Sequence, residues 1–353
     1  MIKLYTGNVY DALQDTSYTH PLLQFLFQGF KKLTPLYELK DSLENADIAI
    51  LPLAVEYFQT RDQKNYLKSF ISSALENNKP VLLFSTGDFG TTIKRKNLFT
   101  LRLGGFDSKL DGQTEIMSPF FEDPLLFLNK EFKVLSKTVS PRIGFVGHAN
   151  GGALKFIKEF VLFVRGNAIR VIGNDSTDYQ HFYPSSYYRQ FYLKRIQSNK
   201  EIVANFIFRK KYRAGVVTEQ DKRVTSIAFY DNIYENQYVF CMRGNGNFSV
   251  RFYETLAMGR IPIVINTDCR LPFTSQINWK EHCLIIEKHE IGIVVEKIME
   301  FHNALTDDHF ELLQKRNRLL WQDYFTKESY FVHYAKIIQE QCLTDRDDKK
   351  NKK

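Results

Sequence analysis

Short apolar runs that do not alternate with polar residues recur along this chain. They lie at 2–5, 46–52 and 80–85 in the first half, and at 141–147, 202–208, 238–242 and 261–265 in the second. A strand with one wet face alternates. A strand that is apolar on both sides needs cover on both faces, as in a parallel sheet flanked by helices. Helical patterns separate the runs: 21–33, with Pro21 suited to a first turn, then 62–77, 152–164 and 249–258, and two near the carboxyl end at 307–324 and 327–341. At about 150 residues per domain, 353 residues give two domains. The reading is two successive open α/β units, 1–137 and 138–325, with ligand in a central cleft between their parallel sheets. A helix and a charged tail follow at 326–353. Residues 94–137 mix charge, Gly and Pro and read as loops and an interdomain connection.

Composition removes several classes. With 44% hydrophobic and 25% charged residues the chain is neither disordered, collagenous nor coiled-coil. The formal charge of +8 suits an anionic small molecule, a phospholipid surface or nucleic acid about equally, and it forms no basic stripe; among partners, no nucleic acid is expected. Cys241, Cys269, Cys283 and Cys342 show no C-x-x-C spacing and fit a reducing compartment. The amino-terminal residues read as a strand rather than a signal peptide, and no run approaches the length of a membrane span. The expected location is cytoplasmic, with peripheral association at the inner face of a membrane as an open option. The lone D-x-D, Asp345-Arg-Asp347, lies in the charged tail, which cannot build a rigid site, so no metal is expected. The zinc-protease, P-loop and serine-hydrolase signatures are missing.

Residues 238–265 carry the chemistry: strand, Gly loop, helix, Gly stop, strand. Gly244 and Gly246 let the backbone approach a ligand. Ser249 is placed to cap the helix, whose first turn offers free N–H groups to a phosphate. Arg243 at the mouth of the loop can clamp a diphosphate with its planar fork. Asn247 belongs to the same loop. On a helical wheel Val250, Phe252, Tyr253, Leu256 and Ala257 share one arc, and Arg251, Glu254, Thr255 and Met258 the other. Glu254 is then expected to face away from the core, where its carboxylate could hold vicinal ribose hydroxyls. The alternative is an ordinary exposed i,i+3 pair between Arg251 and Glu254.

The pattern resembles the exostosin family of glycosyltransferases. The resemblance rests on Phe240-Cys-x-x-Arg-Gly, then Ser249-x-Arg-Phe-Tyr-Glu254-x-Leu-Ala-x-Gly259-x-Ile-Pro262, Asp268, Leu271-Pro-Phe273 and Ile277-x-Trp279. It implies two Rossmann-like domains of the B-type glycosyltransferase fold, with the nucleotide sugar held mainly by the second. It implies that Glu254 holds the donor ribose, and that Arg243 and Ser249 lie in the phosphate-contacting region. Arg251 matches the family's arginine in this helix. Animal exostosins carry a membrane anchor, and many a second catalytic domain. This sequence shows neither pattern, so the expectation is a bacterial or viral relative that builds a surface polysaccharide.

Supporting candidates lie elsewhere. Gly147 and His148 close the strand at 141–147 and can touch ligand there; the alternative is a tight turn with a surface histidine. The basic run 209–213 follows a strand and reads as a second diphosphate contact or a solvated face. An inverting transfer needs a general base on the acceptor side. Asp88, in Thr86-Gly-Asp-Phe-Gly90, is the first candidate, with Glu56 and His20 behind it. The expected activity is metal-independent transfer from a nucleotide-diphosphate sugar, UDP-linked, to a hydroxyl of a glycan or glycolipid, with no cofactor beyond the donor. The competing readings are a nucleotide-sugar epimerase or hydrolase on the same fold, and a non-catalytic protein that binds nucleotide sugars, glycans or nucleic acid.

Overall fold

A computed structural model describes residues 1–7, 17–60, 63–209, 215 and 218–343. The chain forms two compact units. The first comprises residues 1–118, 169–179 and the chain from 324 on; the second comprises 119–168 and 180–323.

The first unit holds strands β1 (Ile2–Tyr5), β2 (Tyr37–Lys40), β3 (Ile48–Ile50), β4 (Val81–Ser85), β5 (Leu98–Arg102) and β6 (Thr114–Ile116). They form one parallel sheet in the order β2-β1-β3-β4-β5-β6. Strands β3, β4 and β5 are buried along their whole length, as non-alternating runs require. Helices α1 (Pro21–Phe27), α2 (Val55–Thr60) and α3 (Lys64–Glu76) belong to this unit. The stretch 94–137 is not all loop: β5 and β6 fall within it. The basic end of β5 hides it from a reading by hydrophobicity. Arg102 is fully buried because its guanidinium donates to the carbonyls of Gly104 and Phe89, to Thr92 Oγ1 and to the Asp178 carboxylate.

The second unit contains α4 (Pro124–Leu128), β7 (Arg142–His148), α5 (Ala153–Val171, to residue 168 in this unit), α6 (Ser185–Gln197) and β8 (Val203–Arg209). There follow α7 (Glu219–Glu235), β9 (Tyr238–Cys241), α8 (Val250–Ala257), β10 (Ile261–Asn266), β11 (Leu284–Glu287), α9 (Val294–Ala304) and α10 (Asp307–Tyr324). Helix α11 (Lys327–Ile337) returns to the first unit, where Tyr37 donates to the Phe331 carbonyl at 2.7 Å.

The second sheet is also parallel, ordered β11-β10-β9-β7-β8. From β7 the chain steps to β8 at one edge, then crosses back to place β9 on the other side of β7. The strand order reverses between β7 and β9, and the carboxyl ends of such a pair form the natural ligand crevice of an open α/β sheet. Phe145, Tyr192, Phe240 and Ile263 lie in the core beneath it. Both units are therefore Rossmann-like parallel α/β units, as expected. Gly259 stops α8 at φ +65°, and a side chain there would collide with Phe132 and the Gln314 carbonyl.

Candidate active site

Two strand ends and one helix start build the site in the second unit. At the end of β7, a Cβ on Gly147 would lie 2.9 Å from Arg251 Nη2 and 3.1 Å from the Phe145 ring, so glycine is required for this close approach. The neighbouring His148 holds Ser186 Oγ at 3.1 Å through Nδ1. Arg189 of α6 ties the two strand ends together, donating to the His148 carbonyl at 2.7 Å and the Arg243 carbonyl at 2.6 Å. Burial, and then the charge of Arg251, pull Arg189 down to about 10. Sequence reasoning missed Arg189, which lies 54 residues from Arg243 in a helix without a strong apolar stripe.

The loop after β9 is pinned from both ends. Buried Arg243 donates to the Asn245 carbonyl at 2.7 Å and lies 5.6 Å from the Tyr183 ring. Gly244 is exposed and faces open space. Asn247 donates to the carbonyls of Thr267 and Asp268 at 3.1 and 2.8 Å and accepts from Thr267 Oγ1 at 2.6 Å. Its amide thus anchors the loop to the end of β10.

Ser249 occupies the N-cap position of α8 with extended backbone, but its hydroxyl makes no cap hydrogen bond. The expected cap is absent. Ser249 is among the residues that line a hollow, with Arg243, Phe248, Phe252, Thr267 and Cys269, whose empty space, open solvent included, is about 390 Å³. The start of α8 therefore borders this hollow.

The expected two-faced α8 needs correction. Phe252, Tyr253, Leu256 and Ala257 are buried, but so are Glu254, Thr255 and Met258, while Val250 is exposed. Helices α7 and α10 account for the difference. Tyr230 of α7 donates to Glu254 Oε1 at 3.1 Å, and Arg318 of α10 donates to the Ala257 carbonyl. Arg251 and Glu254 are consequently no exposed surface pair. The Arg251 guanidinium stacks on Phe145 at 4.3 Å and donates to the Val146 carbonyl at 2.7 Å and the Phe240 carbonyl at 3.4 Å. Burial pushes the Glu254 carboxyl up to about 7, against the pull of Arg251 and the Tyr230 hydroxyl.

The result is a cationic cluster at the β7–β9 reversal point. Among the described residues, every hydrogen bond that Arg189 and Arg251 make goes to a backbone carbonyl, and the Nε of each is buried without a partner. Glu254 offsets part of the buried charge of Arg251, and a bound anion would offset more of the cluster's cost. Planar forks and a helix N-terminus suit a diphosphate.

The three expected base candidates lie in the first unit. Asp88 is exposed in the turn after β4. Glu56, in the first turn of α2, accepts from Ser85 Oγ at 2.6 Å and from the Thr86 backbone N–H at 3.0 Å. His20 is fully buried and caps α1, its Nδ1 accepting from the Leu22 N–H at 3.2 Å. That bond leaves the proton on Nε2, and burial lowers the ring to about 3, so His20 is a poor proton acceptor. Residues 210–213 of the basic run and Asp345 and Asp347 lie outside the described residues. Among the described residues no three His, Cys, Asp or Glu side chains gather to hold a metal, and no helix is long and apolar enough to cross a membrane.

Two parallel α/β units, one with three arginines at its strand-order reversal, define a two-Rossmann-like architecture. Among known proteins, the chain is 26% identical over 109 residues to Exostosin-1 of Drosophila melanogaster and 28% identical over 107 residues to Exostosin-1 of Bos taurus. Each match covers 30% of this chain and 14% of the relative's length. No family model matches the chain. Among solved structures it is remotely similar to TarM (TM-score 0.34, 9% identity, 89% of this chain and 56% of that one). The same holds for CalG4, the calicheamicin glycosyltransferase (TM-score 0.35, 8% identity, 95% and 98%).

Proposed function

We propose that this protein is an exostosin-like glycosyltransferase that moves a sugar from a nucleotide-diphosphate donor, UDP-linked, to a hydroxyl of a glycan or glycolipid. One observation carries the reading: Arg189, Arg243 and Arg251 converge at the ends of β7 and β9, beside the open start of α8. The partial likeness to Exostosin-1 supports the same reading.

In the proposed reaction the acceptor oxygen attacks the anomeric carbon. The bond to the diphosphate oxygen breaks, and the diphosphate leaves with the electron pair. Fixed cationic donors stabilise the charge that develops on it, without a metal in this scheme. Glu254, one helical turn beyond Arg251, accepts from the ribose hydroxyls. If the sugar inverts, the acceptor proton passes to a base. Glu56 is the preferred candidate, since its carboxylate is held by two donors and is half-buried.

Thermal unfolding against a panel of nucleoside diphosphates and their sugars tests the donor site. A ligand at about 100 times its Kd adds about 2.7 kcal/mol of stability. One nucleoside diphosphate is expected to raise the midpoint of the wild type, and Glu254→Ala or Arg243→Ala to reduce the rise. A full rise in both variants, or no rise with any nucleotide, removes the assignment. Release of free sugar without any acceptor would favour a hydrolase.

A further inference from the structure

We infer that the outer face of α5 docks the protein on an anionic phospholipid surface, a role separate from donor binding. Among the described residues, helix α5 is held from one side only. Phe156 and Phe163 pack against Phe182, with ring centroids 5.4 and 5.2 Å apart. On the other side Leu154, Ile157, Val161 and Val164 are 85%, 56%, 57% and 48% exposed, and Ala168 continues the row. The spacing is 3-4-3-4, which places all five side chains in one stripe. A contiguous apolar stripe of this kind on the surface marks an interaction face.

The flanking charges select the occupant. Lys158 and Arg165 are exposed and border the stripe on one edge. The one acid of that stretch, Glu159, is paired with Lys155 at 3.1 Å on another side. In a coiled-coil register starting at Leu154, Lys158 and Arg165 both take e positions, while Phe160 and Asn167 take g. A second copy would set like charges together in an antiparallel pair and offer no acid in a parallel one. The row also covers fewer than three heptads, short for a self-sufficient pair. A lipid surface needs no matching shape. It takes aliphatic side chains into the acyl boundary and basic ones at the headgroups. The formal charge of +8 acts in the same direction. The helix lies on the surface and does not span it.

Flotation of the full chain with phosphatidylcholine vesicles, pure or mixed with an equal part of phosphatidylglycerol, tests this. The wild type should float with the mixed vesicles and much less with the pure ones, and raised salt should release it. Each basic residue near an anionic surface contributes about fivefold, so Lys158→Gln with Arg165→Gln should weaken partition about 25-fold. Ile157→Asp with Val161→Asp should abolish it. Both positions are exposed, so the unfolding midpoint and any nucleotide-induced rise should stay as in the wild type, which separates this test from that of the donor site. Binding to neither vesicle, or equal flotation of the aspartate variant, overturns the inference. So does a wild-type dimer that the aspartate variant dissociates, seen without vesicle binding, since the stripe would then belong to a second copy.

Discussion

The Tyr230 hydroxyl donates a 3.1 Å hydrogen bond to Glu254, joining α7 to α8 beneath the cationic cluster. Burial places the Glu254 carboxyl near 7 in the folded protein, above the ordinary 4.5. Folding thus favours the protonated form. This contribution to stability is complete below about pH 4.5 and is lost as pH rises through 7. Glu254→Gln mimics the protonated form and keeps an acceptor for Tyr230. It should flatten the fall in unfolding midpoint across that window and leave the protein more stable than wild type at pH 8, by at most about 3 kcal/mol. Parallel midpoint-versus-pH curves for the two proteins would show that Glu254 is not the group responsible.

Arg251 supplies a second prediction. Its planar group stacks on Phe145 and reaches the Val146 carbonyl, and Gly147 leaves room for it. Lysine keeps the charge but not the fork. Arg251→Lys should weaken nucleoside-diphosphate binding about tenfold to a hundredfold, the range of one charge-assisted hydrogen bond. Gly147→Ala should act in the same direction by pushing the guanidinium aside while the fold survives. Calorimetric titration measures both. Wild-type affinity in Arg251→Lys would mean that the guanidinium serves packing alone.

Much of this arrangement was legible in the sequence, and what was not has a physical cause. Non-alternating apolar runs report burial on both faces, so the parallel sheets followed from them. Gly259 and the loop before Ser249 were readable because backbone demands are local. The orientation of Glu254 was not, because an eight-residue helix covered by α7 and α10 buries its polar arc as well. Strand β5 escaped because Arg102, in the sequence an ordinary surface residue, is buried by four partners, of which Asp178 lies 76 residues away. Arg189 could not be foreseen, since only the fold brings α6 to the ends of β7 and β9.

Ser249 distinguishes capping from ligand contact. A serine that caps a helix typically contributes about 1 kcal/mol. Here the hydroxyl makes no such bond, and Ser249 is among the residues that line the hollow. Ser249→Ala should therefore change the unfolding free energy by only a few tenths of a kcal/mol, while diphosphate binding falls about threefold to tenfold. A loss of a full kcal/mol with unchanged affinity would restore the capping role and remove Ser249 from the site.

Glu56 carries the last prediction. Its two carboxylate oxygens accept from Ser85 Oγ and from the Thr86 N–H, which fixes its orientation at the carboxyl end of β4. Glu56→Gln preserves shape and removes the basic oxygen. If Glu56 takes the acceptor proton, transfer should fall about 10²- to 10⁴-fold, while nucleotide-induced stabilisation, which depends on the second unit, stays at the wild-type value. Ser85→Ala is the companion variant. It loosens the carboxylate without removing it and should lower the rate far less, with a shifted pH profile. Transfer at the wild-type rate in Glu56→Gln would pass the role to Asp88, and comparable loss in both variants would make Glu56 a strut of the loop after β4 rather than the base.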